Sequence, residues 1–151
     1  MSYELLNDFI NQSHIVLELA SCLKEGAVIK VIFTDDQSNC FIKKGPNKLI
    51  CLNKETSDFD LCFYLSNESL EEITSMDSND IADYGIKVFE NVRKKKMNVK
   101  FNISFLELTT KGYLAVLKLG GKSMLRYLAR FGLLNFMKLK KAITNRTTGG
   151  N

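Results

Sequence analysis

The residues able to do covalent or metal chemistry are few. The chain has one histidine, His14, and four cysteines, Cys22, Cys40, Cys51 and Cys62, with no C-x-x-C pair. A zinc or dithiol redox centre needs ligands at close spacing, so no metal site is expected. No G-x-S-x-G elbow and no H-E-x-x-H pair supplies a nucleophile with its base. Gly120-Gly121-Lys122-Ser123 ends like a phosphate-binding loop, but Val116 stands where G-x-x-x-x-G-K-S requires its leading glycine. Without that glycine the backbone cannot wrap a phosphate, and nucleotide binding is not expected. His14 lies among apolar residues in a helical stretch and reads as structural. The chemistry left is non-covalent: apolar faces, and cations that attract anions.

Those cations are unevenly placed. Up to Thr110 there are twelve Lys and Arg against seventeen Asp and Glu; from Lys111 onward there are nine Lys and Arg and no acid, within a net charge of +4. A one-sign segment of this kind suits a phosphate, a lipid headgroup or a nucleic acid, and equally a solvated face. Arg93-Lys94-Lys95-Lys96 closes a helical stretch, where positive charge complements the helix dipole and can also bind phosphate.

The elements that must position these residues follow from periodicity. Ser2 to about Lys24 has apolar residues at helical spacing, with Gly26 as a stop. Ala27–Phe33, Asn39–Lys43 and Lys48–Asn53 read as three strands joined by short polar turns, an antiparallel meander. Phe59–Leu65 reads as a fourth strand, with Phe59, Leu61, Phe63 and Leu65 on one side. Ser66 or Asn67 caps an acidic helix, and a second helix follows Asp77 with Ile81, Tyr84, Val88, Phe89 and Val92 on one stripe. Met97 to about Leu108 alternates as a fifth strand, placing Met97, Val99, Phe101, Ile103 and Phe105 on one face. Tyr113–Leu119 fits either a short helix or a last strand, and Gly120-Gly121 is a break.

The segment from Lys122 to Ile143 is amphipathic. At about 100° per residue, Arg126 and Arg130 fall within roughly 80° of Lys122. Met124, Leu128 and Phe131 gather on the opposite side, with Leu125 beside them. Lys138 falls on the apolar side, and Gly132 is a place for the helix to divide. Residues 144–151 are polar and expected to fray.

The order of elements resembles the sterol carrier protein type 2 lipid-binding family. The likeness is carried by Phe59-Asp60-Leu61-Cys62-Phe63-Tyr64-Leu65-Ser66-Asn67-Glu68-Ser69-Leu70-Glu71-Glu72-Ile73, a strand ending in Ser before an acidic helix. Gly112-Tyr113-Leu114-Ala115-Val116-Leu117-Lys118-Leu119 is similar to the Ala- and Leu-rich segment near that family's end. In order of elements it spans roughly Leu5 to Leu119. The resemblance implies a domain without catalytic apparatus that holds fatty acids, acyl-CoA or sterols in an apolar tunnel, with Phe63, Leu65, Phe101, Ile103 and Phe105 as lining.

The sequence thus leads to an α+β fold: a twisted, mainly antiparallel sheet of about five strands covered by helices. Residues 1–143 are expected to form one lipid-carrier-like domain, with 144–151 as a polar tail. The expected function is non-enzymatic carriage of a fatty acyl or sterol-like lipid, without a cofactor. Met124, Leu125, Leu128 and Phe131 would add to the apolar lining, while Lys122, Arg126 and Arg130 would meet an anionic headgroup or membrane surface. The alternative is a basic-surface module binding nucleic acid or a protein partner, its core solid. Widely spaced cysteines and an N-terminus without signal-peptide layout suit a reducing cytoplasm. Oligomeric state is open.

Overall fold

In the computed structural model, residues 2–55, 58–127 and 130 are described, with backbone alone for Leu117, Lys122, Met124 and Leu125. The rest of the amphipathic helix expected to run to Ile143 and the polar tail over 144–151 lie outside the described residues. The N-terminal helical stretch is two helices, α1 (Ser2–Gln12) and α2 (His14–Cys22), rather than one running to Lys24. Ser13 breaks it: its N–H still bonds to the Phe9 carbonyl at 3.0 Å, but its ψ of 123 turns the chain into extended geometry.

The meander forms as the alternation requires. β1 (Val28–Phe33), β2 (Asn39–Lys44) and β3 (Leu49–Leu52) pair antiparallel in sequence order. Asp36 accepts hydrogen bonds from the Ser38 N–H at 2.9 Å and hydroxyl at 2.6 Å, stiffening the first turn. β4 (Leu61–Leu65) then crosses to the other side of β1 and pairs with it in parallel, giving the order β3-β2-β1-β4-β5. It starts two residues later than the apolar alternation suggests, because Asp60 spends its carboxylate on the backbone of β1.

Ser66 caps α3 (Asn67–Thr74), its side chain accepting the Ser69 N–H. The Ser2 hydroxyl donates to the Asn67 side-chain carbonyl, tying α1 to this cap. α4 (Ile81–Arg93) is capped by Asp80. It leads into β5 (Met97–Phe101), antiparallel to β4 at the sheet edge.

The fifth strand is shorter than its alternating pattern. It ends at Phe101, and Ser104 caps a new helix, α5 (Phe105–Thr110). The Ser104 side chain accepts the Glu107 N–H while the Glu107 carboxylate accepts the Ser104 N–H, a reciprocal capping box. Pairing with the β4 side continues only to Asn102, whose N–H donates to the Asp60 carbonyl at 2.9 Å, and the capping box then satisfies two backbone donors, so Phe105 is the first residue of a helix rather than a strand side chain.

Tyr113–Leu119 is helical (α6) and Gly121–Tyr127 forms α7, with Gly121 at φ 62 between them. One face of the sheet packs with the helices. Val31, Phe33, Cys40, Ile42, Leu61 and Leu65 share a core cluster with Leu6, Ile10, Val16, Ala20 and Leu70 of the helices. No strand residue in that cluster comes from the other face.

Candidate ligand-binding face of the sheet

Strand register lays the helix-covered face out in cross-strand rows. At one end of the strands lies the row Phe33–Leu65–Met97; next comes Cys40–Val31–Phe63–Val99; then Cys51–Ile42–Ile29–Leu61–Phe101. The last row is short, Leu49 beside Lys44, with Lys44 donating its backbone N–H to Ala27 at 2.9 Å. The helix cover is not uniform over these rows. Phe33 and Cys40 are completely buried, whereas Phe101 on the same face is 39% exposed. Phe63, Val99 and Ile29 stay half-buried between them. Apolar side chains thus remain accessible at Phe63, Val99 and Phe101 on β4 and β5, and in part at Ile29 and Cys51, while Leu61, Leu65 and Met97 among them are buried.

The structure brings only part of the expected lining together. Phe63 and Phe101 do lie on this face, in adjacent rows. Leu65 is on it too, but packed into the core at 5% exposure. Ile103 lies beyond the strand and packs against the core from the connection to α5. Phe105 opens α5 and is not part of the strand face, which corrects the alternation. Met124 and Leu125 fall within α7, where only their backbone is described; Leu128 and Phe131 lie outside the described residues. Of the expected anion-binding residues, Arg126 and Arg130 are exposed, and Lys122 is placed on α7 by its backbone.

The cluster at Arg93–Lys96 has an internal use. Lys96 Nζ bonds to Glu68 Oε1 at 2.7 Å and Glu72 Oε1 at 3.3 Å, joining the start of β5 to α3. Those hydrogen bonds raise the Lys96 pKa, and Lys96 holds the Glu72 carboxyl below its usual range. Behind them Asn91, fully buried, accepts from the Ser69 hydroxyl at 2.9 Å and donates to the Lys87 carbonyl at 2.9 Å.

A second polar cluster sits where β1 and β4 begin. Asp60 is 4% exposed. Its Oδ1 accepts from Lys111 Nζ at 2.5 Å, and its Oδ2 from the Val28 N–H at 2.9 Å and the Tyr113 hydroxyl at 2.7 Å. Burial, and then Asp60 beside it, pushes the Tyr113 hydroxyl pKa up, so it serves as a fixed donor. These contacts fasten α6 and the preceding turn to the sheet and leave Asp60 no reactive role. Nothing in the spacing of residues 60, 111 and 113 announces the cluster, although a lone Asp inside an apolar strand is the one visible sign.

On the opposite face, Lys30 lies over the rings of Phe41 and Phe59 at 5.7 and 5.5 Å, and Lys100 over Tyr64 at 5.1 Å. Among the described residues no group of three or more His, Cys, Asp or Glu stands together as a metal site, and no helix is long and apolar enough to cross a membrane.

The class defined so far is an α+β domain whose mainly antiparallel sheet buries one face unevenly beneath its helices. No protein-family model and no curated protein matches the sequence. Among solved structures the chain is similar to one described as UbiJ-SCP2 ubiquinone synthesis protein, at 16% identity and TM-score 0.48, covering 78% of this chain and 90% of that one. It is also similar to sterol carrier protein 2 from Yarrowia lipolytica in its apo form, at 14% identity and TM-score 0.39, covering 80% and 89%.

Proposed function

We propose that this chain is a non-enzymatic carrier of a fatty acyl or sterol-like lipid, holding the apolar part of its cargo against the helix-covered face of the sheet on the β4–β5 side. The observation behind this reading is the gradient of burial within one face, from sealed Phe33 and Cys40 to Phe101 at 39% exposure. A solid core would gain by closing over Phe63, Val99 and Phe101, since each further 100 Å² removed from water is worth about 2.5 kcal/mol. An accessible apolar strip beside a closed core has the character of a lipid site. Lys122, Arg126 and Arg130 would meet anionic headgroups at the membrane from which cargo is taken.

Native mass spectrometry on gently purified protein, with extraction of whatever is bound, tests the reading. A stoichiometric lipid supports it. A bare mass that stays bare after incubation with acyl chains and sterols would sink it. In the same scheme Arg126→Glu weakens adsorption to anionic vesicles without unfolding the protein; unchanged adsorption removes that residue's role. The runner-up, a basic-surface module for nucleic acid or protein, draws on the opposite face, where Lys30, Lys43 and Lys100 stand and the strands contribute no carboxylate. Salt-sensitive retention on RNA or DNA would favour it.

A further inference from the structure

The two edges of the sheet differ in what reaches them. At β3 the Tyr3 hydroxyl of α1 donates to the Cys51 carbonyl at 3.4 Å. At β5 the backbone is open, and the phase of the ladder says where. The Asn102 N–H donates to the Asp60 carbonyl at 2.9 Å, so Lys100 and Asn98, in the same phase, turn their amides and carbonyls toward β4. Met97, Val99 and Phe101 therefore turn theirs outward, away from the sheet. The Val99 N–H agrees with this phase: it bonds to the side-chain oxygen of Asn98, its own neighbour, at 2.9 Å. Among the described residues no backbone bond reaches Val99 or Phe101 from outside the sheet. An edge of this kind is a template for another strand.

Which strand fits is set by the residues of the edge. Antiparallel pairing of β5 with a second β5, about a twofold axis through Val99, matches all of Met97–Phe101. Val99 then exchanges hydrogen bonds with its own counterpart, and Phe101 with Met97. Lys100, the one charge on β5, falls opposite neutral Asn98. Sliding the register by two residues sets Lys100 against Lys100 in one direction and against Lys96 in the other, and like charges directly opposite are unfavourable. Sliding it by one sets the apolar side chains of one strand beside the polar ones of the other. We infer that this edge pairs with the same edge of a second copy of this chain, making one continuous sheet across a homodimer. The pairing does not depend on the lipid-carrier reading, but it extends the proposed site. The row Cys40–Val31–Phe63–Val99 runs through the axis into the same row of the second copy, so the two apolar strips meet.

Sedimentation velocity on the full chain over a dilution series tests this. Wild-type protein should show a monomer–dimer equilibrium. Val99→Pro removes the outward N–H and leaves the bonds of Asn98 and Lys100 to β4, at an edge position where a strand tolerates proline, and should be monomeric. Asn98→Lys sets like charges opposite one another on both sides of the axis and should weaken the dimer about threefold or more; Asn98→Asp meets Lys100 with a carboxylate and should tighten it by a similar factor. Both replace an exposed side chain, so they decide the matter even if the proline variant does not fold. Wild-type protein that is monomeric at every concentration overturns the pairing and leaves the carrier reading intact. A dimer indifferent to both Asn98 substitutions lies on another surface and overturns it too. A second measurement needs no variant. Amide exchange at Val99 should slow as wild-type protein is concentrated, and change less at Lys100, which faces β4 in either state; a Val99 rate independent of concentration speaks against the pairing.

Discussion

At the scale of single residues, the polar groups buried in this protein are held by geometry rather than poised for reaction. Asp60 is the strongest case, with three donors converging on one carboxylate. Asp60→Asn turns one acceptor position into a donor facing Lys111 or Tyr113, and should lower stability by about 2–3 kcal/mol. Urea unfolding checks this as a drop in midpoint at unchanged slope. The Lys96 pair gives a pH signature. Glu72 has its carboxyl pKa depressed, first by the hydrogen bond from Lys96, below the ordinary 4.5. A depressed folded pKa stabilises above the unfolded value and is lost as pH falls through the folded one. Thermal midpoints should therefore decline as pH drops below about 4.5, and Lys96→Met should flatten that decline by removing its cause. A slope identical in the two proteins would assign the decline to other carboxylates. Cys40 and Cys51 face the same way on neighbouring strands, and the interaction between their thiols raises the pKa of the first and lowers that of the second.

At the scale of elements, caps and glycines decide where the sequence is legible. Ser66 before Asn67-Glu68, and the short polar turns between the first three strands, mark boundaries that the structure keeps. Met97–Phe105 misleads because period-two alternation continues through Asn102-Ile103-Ser104, while the capping signal Ser104-x-x-Glu107 lies inside it. Competing local codes were both present, and the one that satisfied backbone donors won. The first helix misleads for the opposite reason: its apolar spacing runs on across Ser13 with no proline or glycine to show the break. Gly112 and Gly26 share φ +92, and separate backbone strain from packing. A Cβ on Gly112 would come within 1.9 Å of the Cys22 carbonyl oxygen, whereas at Gly26 it meets nothing within 4 Å. Gly26→Ala should cost about 1–2 kcal/mol, and Gly112→Ala at least about 3 kcal/mol or loss of the fold. Similar unfolding midpoints for the two variants would mean that α6 does not press on α2 as the structure has it.

At the scale of the whole molecule, the layers and the meander follow from sequence patterning, but the sheet order does not. Parallel pairing of β4 with β1 joins Val28 to Asp60 across 32 residues, and no local spacing reports a partner that distant. The candidate face suffers likewise. Phe63 and Phe101 are legible as inward-facing residues of their own strands, yet their adjacency is a property of register. Hydrogen exchange offers a global check. β1 is paired on both sides and β5 on one, so the amide proton of Val31 should exchange more slowly than that of Lys100, which lies opposite Cys62 in the β4–β5 ladder. Equal protection would mean that β5 is no looser than the centre.

The parallel seam also sets a timetable. β1, β2 and β3 follow one another through short turns and can assemble early, as local contacts do. β4 must cross to the far side of β1 and bring β5 with it, a longer loop to close. Phe63, Val99 and Phe101 all belong to these two latecomers. The surface proposed to meet a ligand should thus be the last part of the sheet to be built during refolding and the first to be given up as the chain unravels.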